Sequence, residues 1–235
     1  MTKCVTIHQP NFFPWLGYFD KIMKSDVFIF IDDVQFPKTG GCWTNRVKLL
    51  VKGQNQWITG SIDRNYKGTR TILEMVYITK NLWREKLIKT IESNYGRHPY
   101  FCEVMEVIKP LILNKESNLA EYNIHAIKTI CRWLKLEVKK LYRSSELKHE
   151  NSSNKLLCSL TKTVKGDLYM FGKGSEQYQD EAIFSSLGIK LIAQNFVHPS
   201  YLQKNRQGFV MGLSIIDVAM NLGWKGVSEL LGINR

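Results

Sequence analysis

Residues 4–36, CVTIHQPNFFPWLGYFDKIMKSDVFIFIDDVQF, decide the fold. The apolar run at 5–7 ends in His8-Gln9. Pro10 and Pro14 follow, and proline suits the first turn of a helix, where its missing N–H costs nothing. From Trp15 onward the apolar residues Leu16, Phe19, Ile22 and Met23 keep helical spacing. VFIFI at 27–31 is then short and wholly apolar, as a strand buried on both faces must be. It ends in Asp32, Asp33 and, two residues on, Gln35. Two parallel strands joined by one helix bring both carboxyl ends to the same sheet edge. That edge is where open α/β sheets bind their ligands. His8, Gln9, Asp32, Asp33 and Gln35 are therefore the first candidate site.

The totals narrow the class. A chain of 235 residues can bury a sizeable core as a single domain. No apolar run is long enough to span a bilayer, and the first residues lack a signal peptide's apolar stretch, so a cytoplasmic protein is expected. Five cysteines, far apart and without a CxxC pair, exclude a zinc ribbon and are expected as thiols, with Cys42 the one to consider as reactive. The 33 Lys+Arg against 21 Asp+Glu leave a net charge of +12, which attracts anions. The basic residues are scattered and no nucleic-acid motif accompanies them. A nucleotide-linked substrate or an acidic partner protein is expected, not DNA or RNA. No metal site is expected; His8, Asp32 and Asp33 are metal-ligating types, but their spacing is not diagnostic.

Beyond residue 36 the chain alternates. Trp43-Thr44-Asn45-Arg46 sets an aromatic ring, an amide and a guanidinium side by side, a group suited to stacking on a ring and gripping a phosphate. Strands are expected at 56–62 and 74–79. Three helices are expected at 81–94, 99–112 and 118–134, the last with a clean stripe from Leu119 to Leu134. They suggest a helical subdomain over 81–135. Strand and helix then alternate again: strands at 136–142, 167–171 and 190–196, helices at 155–165, 176–187 and 215–222, with a last turn at 228–231. Between the strand at 167–171 and its helix lies Gly172-Lys173-Gly174-Ser175, a glycine-rich turn of the kind that brings N–H groups, with Lys173 and Ser175, against a phosphate. It is neither a Walker loop nor GxGxxG. The expected fold is α/β, a mostly parallel, Rossmann-like sheet flanked by helices with the helical insertion in its middle.

Longer stretches carry a resemblance. IHQPNFFPWLGYFDKI, DVFIFIDDVQF, the WTNR at 43–46, RSSEL at 143–147, FGKGSEQYQDEAIF, the polar-aromatic loop from His198 to Gln203, and GLSIIDVAMNLG together resemble the WbqC-like family of bacterial surface-polysaccharide gene clusters. The resemblance implies a role in O-antigen (lipopolysaccharide) assembly, as an acyltransferase that places an amino acid or another acyl group on a nucleotide-linked amino sugar. It implies no cofactor beyond an acyl donor activated as a phosphopantetheine thioester. The donor is a CoA thioester or a loaded acyl-carrier protein, whose acidity would suit the basic surface.

That chemistry needs a base, oxyanion donors and a hold on both reactants. His8 is the expected base, with Asp32 or Asp33 orienting its second nitrogen, and His198 is the alternative. Gln9, Asn11 or Gln35 is the expected oxyanion donor, and all three are expected substrate-binding residues. Trp43, Asn45, Arg46 and Gln203 are expected to hold the sugar nucleotide. With no Ser-His-Asp or Cys-His set in sight, direct transfer is expected. The opening unit also bears a loose likeness to HIGH-type nucleotidylyltransferases, though Leu16-Gly17-Tyr18 stands where their second histidine belongs. A non-catalytic sugar-nucleotide-binding scaffold is the third reading.

Overall fold

The apolar runs at 5–7 and 27–31 become the middle of a parallel sheet. The protein, seen here in a computed structural model, is described over residues 2–39, 42–80, 82–136, 140–149, 153–172, 179–204 and 208–233. In chain order the elements are β1 (Cys4–His8), α1 (Leu16–Lys24), β2 (Val27–Phe30), β3 (Arg46–Val51), β4 (Gln54–Thr59), α2 (Trp83–Tyr95), α3 (Phe101–Ile112) and α4 (Leu119–Trp133). There follow β5 (Leu141–Arg143), α5 (Ser153–Thr163), β6 (Leu168–Phe171), α6 (Glu181–Ser186), β7 (Lys190–Ala193) and α7 (Ile215–Leu230). They form two compact units, both discontinuous in sequence.

The first unit comprises Met1–Gln9, Gly17–Asp33 and Glu137–Val197. Its five strands lie in the order β5-β2-β1-β6-β7, every neighbouring pair parallel. β1 is central, with His8 opposite Phe30 of β2 and Val5 opposite Tyr169 of β6. This is the Rossmann-like α/β class. The chain steps from β1 outward to β2 and β5, then crosses back to β6 and β7 on the other side. The order therefore reverses between β1 and β6, the place where such sheets bind ligands. Close approach of the α5–β6 turn to β1 depends on Gly166, since a side chain there would collide with Val5 Cγ2 and with Thr161.

The second unit comprises Pro10–Leu16, Val34–Leu136 and His198–Arg235. It holds the antiparallel hairpin β3–β4, the expected helices α2 to α4, and α7. The hairpin turns at Lys52-Gly53, both at positive φ (52° and 72°), which matches the twist of its strands. Phe12, Tyr77, Trp83 and Tyr122 form an aromatic core, with the Tyr77 and Trp83 rings stacked at 4.9 Å. Within it the Asn123 amide donates to Pro10 O (2.8 Å) and Thr44 O (2.6 Å) and accepts from Tyr77 Oη (3.2 Å).

Several boundaries depart from expectation. Residues 74–79 make no strand. The Glu74 carboxylate accepts from both N–H and Oγ1 of Thr71 and draws the backbone into a 3-10 turn, Ile72–Glu74, after which only isolated bridges form. The strand expected at 56–62 is β4, ending at Thr59. The strand at 136–142 shortens to β5, with 137–139 outside the described residues. The helix at 176–187 begins at Glu181 because Asp180 caps it, accepting from Ala182 N and Ile183 N; residues 176–178 are outside the described set. The helix at 215–222 and the turn at 228–231 join as α7 across Gly223 (φ 69°), where the Tyr100 ring occupies the space a side chain would need. Among the described residues no helix is long and apolar enough to cross a membrane.

Gly166→Ala is expected to cost about 1–3 kcal/mol through overpacking against Val5. A lowered melting temperature, with the circular dichroism of the folded state retained, checks it.

Candidate functional site

The carboxyl edge of the sheet divides into two halves. On the β1/β6 side, His8 closes β1 and keeps some exposure. Its Nδ1 lies 3.1 Å from Gln9 O, and Tyr18 Oη donates to the same carbonyl at 2.9 Å. A peptide carbonyl only accepts, so Nδ1 carries the proton and Nε2 the lone pair. The Tyr18 ring stands edge-on to the imidazole, centroids 4.8 Å apart. Burial, and then the nearby Lys21 charge, pull the imidazole down to about 3, so His8 is neutral at physiological pH. Lys21 itself is 6% exposed, and burial lowers its ammonium to about 8. Its Nζ lies 2.7 Å from where a Gly172 Cβ would stand, at the end of β6. Beside it, Gln194 donates to Gly17 O and Asp20 Oδ2, both at 2.7 Å, while Asp20 pairs with Lys24 at 3.0 Å.

The β2/β5 side is wired shut. Asp32, fully buried, accepts from Arg143 Nε (2.8 Å), Ser145 N (3.1 Å) and Ser145 Oγ (3.0 Å). Asp33 meets His149 Nε2 at 2.6 Å and lies within hydrogen-bond reach of Ser144 Oγ, which also faces Asp32. Both carboxylates thus tie the end of β2 to the turn after β5. The expected pairing of Asp32 or Asp33 with His8 is not what the structure holds; the Gln9 carbonyl takes that place. Ser144, Asp33 and His149 are not a nucleophilic triad, because the carboxylate stands between the hydroxyl and the imidazole. Among the described residues no group of three or more His, Cys, Asp and Glu is placed to hold a metal ion.

The other expected residues belong to the second unit. Trp43 joins a surface cluster, 4.9 Å from Trp15 and 4.7 Å from Trp57 by ring centroids. The Arg46 guanidinium lies over Trp57 at 4.1 Å, and Lys48 Nζ is 5.0 Å from that ring. Alternation along β3 puts Arg46 and Lys48 on one face and buries Val47 and Leu49 in the core. Asn45, by contrast, is buried and donates to Gly60 O at 3.2 Å. Asn11 is buried as well, its Oδ1 without a hydrogen-bond partner among the described residues. Gln35 is exposed and bridges to Thr71. Gln203 clamps Val210 through both its N–H and its carbonyl (2.8 Å each) and so shapes its own loop. His198 Nδ1 meets Pro199 O at 3.0 Å, with the rings of Tyr201 and Phe209 beside it; burial lowers its proton affinity. Cys42 is buried, and its Sγ accepts from Thr44 Oγ1 at 2.9 Å. Lys173 and Ser175 lie outside the described residues.

Tyr18, Lys21, Arg143, Ser144, His149 and Gln194 enter the edge without having been anticipated. For the Arg143 group a signal existed: Arg143-Ser144-Ser145 ends a strand in the same way as His8-Gln9 and Asp32-Asp33. Asp217, near the start of α7, was also missed. It is fully buried and accepts from Tyr95 Oη (2.7 Å) and Tyr201 Oη (2.6 Å). Burial outweighs these two bonds and raises its carboxyl to about 6.

The first unit is a parallel α/β sheet of the Rossmann-like class with polar groups gathered at its carboxyl edge. The family model described as the WbqC-like protein family matches residues 9–229, and the chain belongs to that family. It is similar to the uncharacterized protein Rv1507c of Mycobacterium tuberculosis (strain ATCC 25618 / H37Rv), 28% identical over 222 residues that cover 94% of each chain. No solved structure matches it.

The raised Asp217 carboxyl binds its proton more tightly folded than unfolded. Its contribution to stability is complete below pH 3.8 and is lost as pH rises through about 6. The stability of the native protein relative to Asp217→Asn should therefore fall by about 2 kcal/mol between pH 4 and pH 7. Urea titrations of both proteins across that range test it.

Proposed function

We propose that this protein transfers an acyl or aminoacyl group from an activated thioester to the amine of a nucleotide-linked amino sugar, in the assembly of a surface polysaccharide. His8 carries the reading: a neutral imidazole with its tautomer set by a backbone carbonyl, at the switch point of a parallel sheet. The amine attacks the thioester carbonyl. As the C–N bond forms, His8 Nε2 takes the amine proton. As the C–S bond breaks, the imidazolium returns that proton to the departing thiolate. Atoms and charge balance without a covalent acyl-enzyme. A phosphopantetheine thioester on an acidic carrier suits the net charge of +12. Trp57 and Trp43, flanked by Arg46 and Lys48, offer a stacking surface beside cations, which suits the base and phosphates of a nucleotide.

A nucleotidylyl-transfer reading draws on one observation, a single histidine after the first strand of this sheet order. The missing second histidine speaks against it.

Incubation of the protein with a thioester-loaded carrier protein and a nucleotide-linked amino sugar, read by mass spectrometry, is expected to give the amide. His8→Gln is expected to lower the rate by about 10²–10⁴-fold with the fold intact. Pyrophosphate release from ATP with no amide product would instead favour nucleotidylyl transfer, and binding without turnover a scaffold. Trp57→Ala is expected to weaken nucleotide-sugar binding by about 10-fold, measured calorimetrically, through loss of stacking.

A further inference from the structure

The β1/β6 half of the sheet edge contains a charge that no other described residue on that edge answers. Lys21 sits at a position in α1 that packs inward, 6% exposed. Among the described residues its ammonium makes no ion pair and no hydrogen bond. Asp20, the carboxylate next to it in sequence, is taken up by Lys24 and Gln194. Asp32 and Asp33 are held by Arg143, Ser144, Ser145 and His149. Among the described residues β6 brings Gly172 against the amine, and β7 is followed by the uncharged Gln194. A buried, unpaired ammonium is expensive to fold, whereas a methionine of similar length would not be. Gly172 matters to the same place, since even a methyl group there would press on Nζ and Cε, at 2.7 and 3.0 Å. The glycine makes the space that the head of the lysine occupies, at the point where the strand order reverses.

We propose that Lys21 is the anion anchor of this edge and pairs with a phosphoryl group of the bound substrate. The proposal rests on the acyl-transfer reading only for the origin of that group, which is either the diphosphate of the sugar nucleotide or the phosphate of the pantetheine arm. Binding has a consequence for His8. The Lys21 charge bears on the imidazole and opposes its protonation. Once a phosphoryl group pairs with the ammonium, that opposition is offset and Nε2 becomes a stronger base. The imidazole is then weakly basic in the empty protein and more basic with substrate in place, so base strength is linked to occupancy.

The test uses the full chain and its Lys21→Met variant, with inorganic pyrophosphate, a nucleoside diphosphate and 4′-phosphopantetheine as separate probes. Binding is read by calorimetry, and His8 protonation by NMR of the labelled imidazole. The native protein is expected to bind at least one probe, Lys21→Met at least 10-fold more weakly, and the His8 midpoint to move to higher pH on binding. The variant without ligand is expected to melt no lower than the native protein and to show the raised His8 midpoint unaided. Preference for the nucleoside diphosphate or for 4′-phosphopantetheine identifies the source of the phosphoryl group. Equal affinity in both proteins, no binding of any probe, or a variant that melts lower with an unmoved His8 midpoint would overturn the proposal. None of these readouts depends on acyl transfer, so loss of the amide-forming reading leaves the anchor standing, and loss of the anchor leaves amide formation to be judged by its own assay.

Discussion

β1 is hydrogen-bonded to a parallel strand on each side, and the site of the first unit depends on that pairing. Parallel neighbours must start from the same end, so their polar exits collect on one edge. The strand is short, and both faces of its middle are buried, which is why residues 5–7 carry no charge. His8 is the first position at which the chain regains some exposure. The strand order then decides the rest. Because β6 and not β5 lies on the far side of β1, the chain leaves the sheet there through a glycine, and the helix that follows β1 can insert a lysine beside it.

The two halves of the edge differ in how fully their polar groups are satisfied. Around β2 and β5, two carboxylates, an arginine, two serines and a histidine spend their bonds on one another. Such a network fixes geometry and leaves little for a ligand. Around β1 and β6, a backbone carbonyl sets the tautomer of one imidazole, and a nearby ammonium has no ion pair among the described residues. The first half fixes the strand ends, and the second is where the proposed chemistry is placed.

The second unit places its buried polar groups differently. Asn123 joins Pro10, Thr44 and Tyr77, and Asp217 joins Tyr95 and Tyr201, so each ties together segments far apart in sequence. Its surface cluster of Trp15, Trp43 and Trp57 with Arg46 and Lys48 follows from strand alternation. One face of β3 is core, and the other carries Arg46 and Lys48 beside the tryptophan rings.

The sequence by itself determined the class of fold, the rule that polar groups follow the strands, the helices between 81 and 134, and the position of His8 at a strand end. Each of these follows from local periodicity and from the polar residues that interrupt it. Family membership was legible too, in the long opening stretch. The sequence did not show which group fixes His8, because the nearest carboxylates are adjacent only along the edge, and a carbonyl one residue away wins by proximity. It did not show Lys21, since a lysine in an amphipathic helix reads as a solvated residue. Only the tertiary structure decided its burial, by bringing β6, a strand some 150 residues later in the chain, against β1 and closing the space around the ammonium.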